Sequence, residues 1–482
     1  MYCVPLEKVI TLLPENKIEN MKPLLLTVVL AMSGLCGMAQ EQEVDATTGA
    51  TRQASKTEKL TNALSRLKIG GYGEAVLTRN FYSQSFNRYK RPEQYANDKS
   101  HGRFDLPHIC LNLGYDFGKG WTMGSEIEFE HGGNGTAVEI EAEEAGEYEA
   151  EVEKGGEVNI EQFWINKEFA GGQLNVKVGE IIVPVGYSNA YHEPNQFFTV
   201  YRPEGEATIM PNTWHQVGVS LWGRLKNWRY EAQFLSGLNS ESFTAENFVH
   251  YGATSPYEFK VANNYAGALR IDNYSVKGLR IGLSGYYGYT FRNTLRTPGS
   301  KYDDVTGALG IVALDFTLNR WNWIVRGNVD YAHFADADAI SAYNQANWTH
   351  HKYQDGNPHH YSNIGSNAVA YALEAGYNVM ALLRCRQASP ADKLFLFGRF
   401  EHYNTMASGT YESMYKYTKK YRCAFGVNYQ PVKQVTIKGE YSYRFFEKPN
   451  NNGLTSDSPL YKQPYNNEPS ISLGVTYTGW FL

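Results

Sequence analysis

Charged side chains recur at alternate positions within many apolar segments of this chain. In the segment WTMGSEIEFE, Glu126, Glu128 and Glu130 alternate with Ile127 and Phe129. A period of two indicates β-strands with one polar and one apolar face. The basic residues on the polar faces are Arg229, Arg270, Arg280, Arg292, Arg326, Arg399, Arg422, Lys438 and Arg444, and the acidic ones are Glu126, Glu128, Glu130, Glu231, Asp272, Asp330, Glu374, Glu401 and Glu440. On the inner face of a barrel, such rows would orient polar solutes or pair with each other across strands.

Residues suited to other chemistries are present without the spacing that those chemistries need. Single histidines are scattered, and no G-x-S-x-G or H-E-x-x-H segment occurs, so we predict neither an enzyme nor a cofactor. One segment holds four histidines that could bind zinc or copper, namely His350, His351, His359 and His360. Their spacing matches no known ligand motif, so no metal site is predicted. Cys110, Cys385 and Cys423 are too far apart in sequence to indicate a disulfide framework.

The composition narrows the class of protein. Tyrosine contributes 36 residues and glycine 45, while the mean hydropathy is −0.46. A chain that is polar on average but rich in alternating apolar strands is typical of a membrane barrel, in which half of each strand faces water. A net charge of −5 does not indicate a nucleic-acid partner. We therefore predict an all-β fold, a transmembrane antiparallel up-and-down β-barrel of about 16 strands.

The connections between the predicted strands support this architecture. Short turns, such as 118–120 and 319–320, alternate with long connectors. The long connectors are predicted at 80–103, 132–157, 182–213, 236–262, 293–305, 335–363, 404–418 and 446–468. Outer-membrane barrels have this asymmetry, with the short turns in the periplasm. Aromatic residues near strand ends fit an interfacial girdle, which a soluble sandwich or propeller would not need; they are Trp121, Trp228, Trp321, Tyr289, Tyr331, Tyr377 and Tyr443.

The N-terminal region is expected to carry an export signal. Residues 1–39 combine an upstream extension with an apolar segment, Pro23 to Leu35, and a small-residue cleavage site ending at Ala39. The expected translation start is Met21. Residues 40–67 are predicted to form a periplasmic segment with a short helix, and residues 68–482 the barrel.

One connector differs from the others in composition. The segment from about 182 to 213 lies between two alternating strands and is rich in proline and paired aromatic residues. We predict that it folds inward and narrows the pore. The residues expected at the constriction are Arg202, Glu204, Glu206, Glu193 and His192.

Four motifs resemble those of the phosphate-selective porin O/P family of Gram-negative outer membranes. They are KIGGYGE, DFGKGW, GEIIVPVG and RPEGEATIMPNTWHQVGVSLWG. The resemblance implies a sixteen-stranded porin, a homotrimer, and a third long loop that narrows the channel. Phosphate selectivity in that family depends on basic residues at the constriction. Here that loop brings Arg202 beside Glu193, Glu204 and Glu206, a departure that argues against phosphate.

The sequence therefore predicts a porin of the bacterial outer membrane. Its partners would be membrane lipid and the small polar or ionic solutes that diffuse through a water-filled barrel. Two alternatives stay open: a substrate-specific channel for an anion, phosphate or a sugar, and a structural or adhesive surface barrel without an open pore.

Overall fold

The structure is a computed structural model that describes residues 62–83, 88, 95, 97–98, 101–131, 137–140, 152–155, 158–254, 259–295, 297–347, 363–383, 392–446 and 467–482. The chain divides into two units, Met1–Ala63 and Leu64–Leu482, and the fold described below is that of the second. The predicted signal peptide and the four-histidine segment lie outside the described residues, as does most of the predicted periplasmic segment.

The regular secondary structure described in the second unit is mainly β-strand. In chain order they are β1 (Leu67–Asn80), β2 (His101–Asp105), β3 (His108–Gly118), β4 (Trp121–Glu130), β5 (Ala137–Ile140), β6 (Val152–Gly155), β7 (Val158–Phe169), β8 (Leu174–Ile182), β9 (His215–Leu225), β10 (Trp228–Ser236), β11 (Tyr265–Asn273), β12 (Leu279–Tyr289), β13 (Ala308–Arg320), β14 (Trp323–Phe334), β15 (Asn367–Asn378), β16 (Lys393–Ser408), β17 (Lys419–Val432), β18 (Val435–Phe446) and β19 (Asn467–Trp480). The described residues also include short 3₁₀ helices and these α-helices: α1 (Tyr187–Ala190), α2 (Glu204–Ile209), α3 (Ala337–Asn347) and α4 (Met380–Leu383).

The main sheet closes on itself. Neighbouring strands pair antiparallel in chain order, and β1 pairs with β19 from Gly70 opposite Trp480 to Asn80 opposite Ser470. Both β2 and β3 pair with β1, so they occupy one position in the barrel as a single strand interrupted between Asp105 and His108. The 17 strands of this sheet therefore fill 16 positions. The predicted closed antiparallel barrel is confirmed. Strands β5 and β6 form a separate hairpin.

The two faces of the barrel differ in polarity as the alternation predicts. In β12, Ile281 and Leu283 are about half exposed on the outside, whereas Arg280, Ser284 and Tyr286 are buried inside. Large aromatic side chains mark the strand ends on the outer face, including Trp121, Trp228, Tyr289 and Trp321. None of the helices in the described part of the chain has both the length and the apolar character that crossing a membrane requires.

One side of the barrel interior holds an apolar cluster. It gathers residues from several connectors with residues of the barrel wall, among them Trp214, Leu238, Phe243, Phe248, Phe334 and Ile340. The segment after β10 contributes three of these, so the predicted connector 236–262 is partly an internal structure. Strand β16 runs to Ser408, into the predicted connector 404–418. Burial of these side chains stabilises the connectors against the wall by removing apolar surface from water.

Candidate functional site

The connector between β8 and β9, residues 183–214, lies inside the barrel; we call it the inner loop. It reaches the wall opposite its own strands, where the Lys438 ammonium of β18 donates to the carbonyl oxygens of Pro194, Phe197 and Thr199 at 2.7, 3.2 and 2.8 Å. Lys438 is 1% exposed. A charged donor that is this buried must be fully partnered, because leaving it unpaired would be costly. The three carbonyls therefore fix the position of the loop.

Carboxylates of the same wall accept from the backbone of the inner loop. Glu440 accepts from Val200 N–H at 2.7 Å, and Glu374 accepts from Phe198 N–H at 3.2 Å. Glu401 accepts from Gly205 N–H, also at 3.2 Å. A loop cannot satisfy all its own backbone groups in a buried setting, so charged wall residues supply partners in place of water.

An aromatic contact adds to these hydrogen bonds. The Phe198 ring stacks on Phe397 of β16 with centroids 5.5 Å apart, and the Arg326 guanidinium lies 4.7 Å above the Phe198 centroid. A Cβ added at Gly376 of β15 would come within 2.4 Å of the Phe198 ring. Glycine is therefore required at position 376 for the ring to approach the wall this closely.

Among the residues predicted at the constriction, Glu206 has an internal role. Its carboxylate accepts from Tyr187 N–H and Ser188 N–H at 2.6 and 2.7 Å, and from the Ser188 hydroxyl at 2.6 Å. These contacts join α2 to the first turn of α1. Glu206 is 3% exposed, so it braces the inner loop and does not line a passage.

Glu204 faces the basic part of the wall. Its carboxylate lies 3.1 Å from Arg444 Nη1 and 3.2 Å from Arg422 Nε, and it accepts from the Tyr403 hydroxyl at 2.8 Å. Burial alone would raise the pKa of Glu204, but Arg444 and Arg422 hold that pKa well below its usual range. The Glu204 side chain keeps 27% of its surface exposed. It is thus an ionised carboxylate within reach of solutes.

Arg202 faces a different part of the wall, formed by β1 and β4. Its guanidinium donates to Thr213 Oγ1 at 2.8 Å and to the Tyr72 hydroxyl at 3.3 Å, and it lies 3.8 Å from Glu128 Oε1. Burial would lower the pKa of Arg202, but Tyr72 and Glu128 more than offset this, so its pKa lies above the ordinary value. The guanidinium stays charged beside the carboxylates of β1, β4 and β7.

His192 and Glu193 lie on the same side as Arg202. His192 Nε2 is 3.6 Å from Glu126 Oε1, and its ring meets the Tyr72 ring edge-on at 6.0 Å. Burial raises the pKa of Glu193, and Glu126 nearby raises it further against the opposing effect of His192. Both residues are part-buried. The inner loop therefore places Arg202 and His192 beside carboxylates of β4, and Glu204 beside arginines of β17 and β18.

The predicted basic residues of β14 to β18 form a row of alternating charges. Consecutive members lie 2.7–3.7 Å apart, apart from one closer pair, Arg422 and Glu440; the order is Arg326, Glu374, Arg399, Glu401, Arg422 and Glu440. Arg444 continues this pattern with Glu468 at 2.5 Å. Because each arginine is paired, this wall presents little net positive charge.

A second paired group occupies β10 to β13. Arg270 and Arg280 both contact Asp272 and Asp315, at distances of 2.5–3.0 Å, and Arg229 lies 3.2 Å from Asp272. Arg270 also donates to the carbonyl oxygen of Gly186 at 3.0 Å, which ties the start of the inner loop to β11. These residues are therefore paired across strands, which is one of the two arrangements predicted from the sequence.

One predicted lining residue lies elsewhere. Arg292 follows the end of β12 at Tyr289, and its side chain is 46% exposed beside Asp303 at 3.7 Å. The alternation of β12 stops before position 292, so the residue is in a connector and not on the inner face.

The sequence prediction missed several inward residues, including Asp315 on β13 and Glu468 on β19. Tyr72 and Glu74 on β1, Cys110 on β3 and Glu161 on β7 are all buried on the inner face, close to the predicted Glu126 and Glu128. Glu130 lies on the same face, near His108. Extending the alternation along β1 would have found Glu74, whereas Glu161 is placed by a bulge between β4 and β7.

Comparisons with known proteins add little to this description. The chain is 27% identical over 402 residues to an uncharacterized protein of Aquifex aeolicus (strain VF5), a similarity that covers 80% of this chain and 77% of that protein. No model of a protein family matches the chain. The resemblance to the phosphate-selective porin O/P family therefore stays a prediction.

Several solved structures are similar to the chain in part. They include the anion-selective porin from Comamonas acidovorans (11% identity, TM-score 0.47, 86% of this chain and 99% of that one) and the outer-membrane channel DcaP of Acinetobacter baumannii (11%, 0.47, 86% and 97%). OprB of Pseudomonas putida gives 10% identity and a TM-score of 0.48 over 88% of this chain and 97% of that one. The barrel fold of this chain is defined by its own strand pairing.

Proposed function

We propose that this protein is an outer-membrane porin through which small polar or ionic solutes diffuse along the inner loop. The observation that carries the proposal is the inner loop itself. It lies inside a closed barrel, and partly exposed charges of opposite sign, Arg202 and Glu204, face different parts of the wall. Fixed charges beside a narrow aqueous passage select solutes by sign and size.

The outer surface supports a location in a bilayer. Large apolar residues on the outer face are about half exposed along every side of the barrel, for example Val178, Leu269, Val329, Phe425 and Leu473. Water would disfavour so much apolar surface, whereas lipid accommodates it, and barrel closure leaves no unpaired strand edge.

The charges of the interior argue against phosphate as the solute. The arginines of β10 to β18 are paired with carboxylates, whereas Glu74, Glu126, Glu128 and Glu161 gather on β1, β4 and β7 around Arg202. A surplus of carboxylates repels anions and attracts cations. We propose that cations pass at least as readily as chloride.

A second candidate, a structural barrel without an open pore, is favoured by the apolar cluster of the interior. Most inner-face residues of β11 to β16 are buried, and Trp214 and Phe248 at the centre of the cluster have no exposed surface. A passage on that side is filled. Ions would therefore have to pass on the other side of the barrel, where Arg202 and Glu204 lie.

Planar-bilayer recording of the purified full chain, with liposome swelling by a panel of ions and sugars, separates the candidates. Discrete ohmic steps are expected for a porin, steps blocked by one solute for a specific channel, and silence for a structural barrel. A variant lacking residues 187–209 is the matched comparison. Gly186 and the Met210 side chain are near each other, since a Cβ on Gly186 would lie 3.3 Å from Met210 Sδ, and a short glycine-serine linker would join the two ends of the deletion. It should conduct in larger steps than the full chain.

A further inference from the structure

Three potential metal ligands meet on adjacent strands of the acidic wall. Cys110 lies on β3, Glu126 on β4 and Glu161 on β7, and we call these three residues the Cys110 cluster. One ligand atom from each lies within 4.8 Å of the other two. In sequence the three are separated by 16 and 35 residues (110 to 126, 126 to 161), which matches no metal-binding motif.

A β-bulge creates the cluster. Glu126 pairs with Gln162 and Ile127 pairs with Ile160, which leaves Glu161 as an additional residue opposite β4. A bulge of this kind redirects a side chain without ending the strand. As a result, Glu161 and Gln162 both turn away from the exposed outer face on which Ile160 and Phe163 lie.

The three residues are buried and incompletely satisfied. Cys110, Glu126 and Glu161 are 5%, 4% and 2% exposed. Among the described residues, Glu161 Oε2 and Glu126 Oε1 have no hydrogen-bond partner. A buried carboxylate oxygen without a partner is costly, because it has lost its hydration without replacement. Such oxygens in a shared space point to a bound cation.

The surroundings add further negative charge. Glu128 Oε1 lies 3.5 Å from Cys110 Sγ, and Glu74 is buried nearby on β1 with Oε2 unpartnered among the described residues. The nearest guanidinium, that of Arg202, is 3.8 Å from Glu128. Two histidines also lie beside these groups, His108 with Nδ1 2.7 Å from Glu128 Oε1 and His192 with Nε2 3.6 Å from Glu126 Oε1. Four carboxyl groups, those of Glu74, Glu126, Glu128 and Glu161, still face a single arginine, and a divalent cation would offset this excess of acidic groups.

We propose that the Cys110 cluster binds a zinc-type divalent cation in the barrel interior. Thiolate sulfur, carboxylate oxygen and imidazole nitrogen are all ligands of Zn²⁺ in tetrahedral sites. His192 of the inner loop lies next to the cluster, with its Nε2 3.6 Å from Glu126 Oε1, and a small movement of the loop would bring it to the metal. Binding would join the inner loop to β3, β4 and β7 and add positive charge to the acidic wall. The Cys110 thiol would lose its proton to solvent as the metal binds.

The test measures binding to the folded barrel in detergent, which does not depend on conduction. Zn²⁺ is titrated into a variant in which His350, His351, His359 and His360 are alanine, so that the four-histidine segment does not contribute. We expect one Zn²⁺ per chain. Cys110→Ser and Glu161→Gln should each weaken binding at least about tenfold, since even changes to residues that only support a ligand cost about 10- to 100-fold.

Cys423→Ser is the matched control, because Cys423 lies on β17, outside the acidic wall. It should bind Zn²⁺ like the parent. With Co²⁺ as the probe, a sulfur-to-metal charge-transfer band should appear in the parent and in Cys423→Ser and be absent from Cys110→Ser. The proposal is overturned if the parent binds no metal, or if Cys110→Ser keeps the parent's affinity or its band. Heat-modifiable migration in gels verifies that every variant has folded.

Discussion

At the scale of single residues, Arg202 and Glu204 are two positions apart in sequence yet serve different walls. Arg202 lies against Tyr72 and Glu128, and Glu204 lies against Arg422 and Arg444. Each therefore offsets the local charge of the wall that it faces. Removing either charge should leave the charge of the wall that it faces unbalanced.

Replacing the two residues should shift ion selectivity in opposite directions. Arg202→Met exposes carboxylates and should favour cations. Glu204→Gln removes one negative charge beside Arg422 and Arg444, which keep their wall partners Glu401, Glu440 and Glu468, and should favour anions. A partly screened charge interaction of about 0.5–1 kcal/mol corresponds to a roughly two- to fivefold change in permeability ratio. Reversal potentials across a KCl gradient measure the change.

The control for both variants is Glu168→Gln, whose side chain is exposed near the end of β7. It should keep the parent's reversal potential. If Arg202→Met and Glu204→Gln shift selectivity in the same direction, the two-wall arrangement is wrong.

At the scale of elements, the inner loop is held mainly by partners from the opposite wall. Lys438 binds three of its carbonyl oxygens, and its ammonium also lies 4.3 Å from the centroid of the Phe197 ring. Hydrogen bonds to charged groups contribute about 1.5–3 kcal/mol each. Lys438 therefore contributes several kcal/mol, in the range of these hydrogen bonds, to holding a segment of more than 30 residues, 183–214.

Lys438→Met should release this restraint while keeping the length and the packing of the side chain. The expected result is larger and noisier single-channel steps, because the loop would sample positions away from the wall. Lys433→Met, in the exposed turn between β17 and β18, is the matched control and should behave like the parent. Steps of unchanged size and noise in Lys438→Met would show that other contacts hold the loop.

Features that depend on residues close together in the sequence could be predicted, whereas features that depend on the pairing of distant strands could not. Alternation along a strand is local, so the strands and the inward placement of Glu126, Arg326 and Arg422 could be predicted from the sequence. The bulge at Glu161 depends on how β4 and β7 are paired, and it breaks the alternation that a sequence pattern relies on. The role of Glu206 was equally inaccessible, because its partners are backbone groups of a helix that forms only within the folded loop.

At the scale of the whole molecule, the barrel separates an apolar exterior from an ion-paired interior. Packing of loops normally covers apolar surface, but the described connectors that form the apolar cluster fold inward, and the apolar outer-face residues of the described strands stay exposed. This distribution is the reverse of that in a water-soluble protein of the same size. It predicts that the free energy of unfolding depends on lipid contact at the middle of the strands.

A charge placed on the outer face tests this dependence directly. Val329 lies midway along β14 and is 57% exposed, whereas Val432 lies at the end of β17 and is 48% exposed. In a bilayer, Val329→Arg should lower the free energy of unfolding by about 2–4 kcal/mol, and Val432→Arg by about 0–1 kcal/mol, because the cost of arginine falls from the midplane to the interface. Urea titrations of the protein folded into lipid vesicles measure both values. In water the two substitutions would cost nearly the same, since the exposed fractions are similar and both guanidinium groups would stay hydrated. A clear difference between the two positions therefore depends on depth in lipid, and equal effects would contradict the proposed location of the barrel.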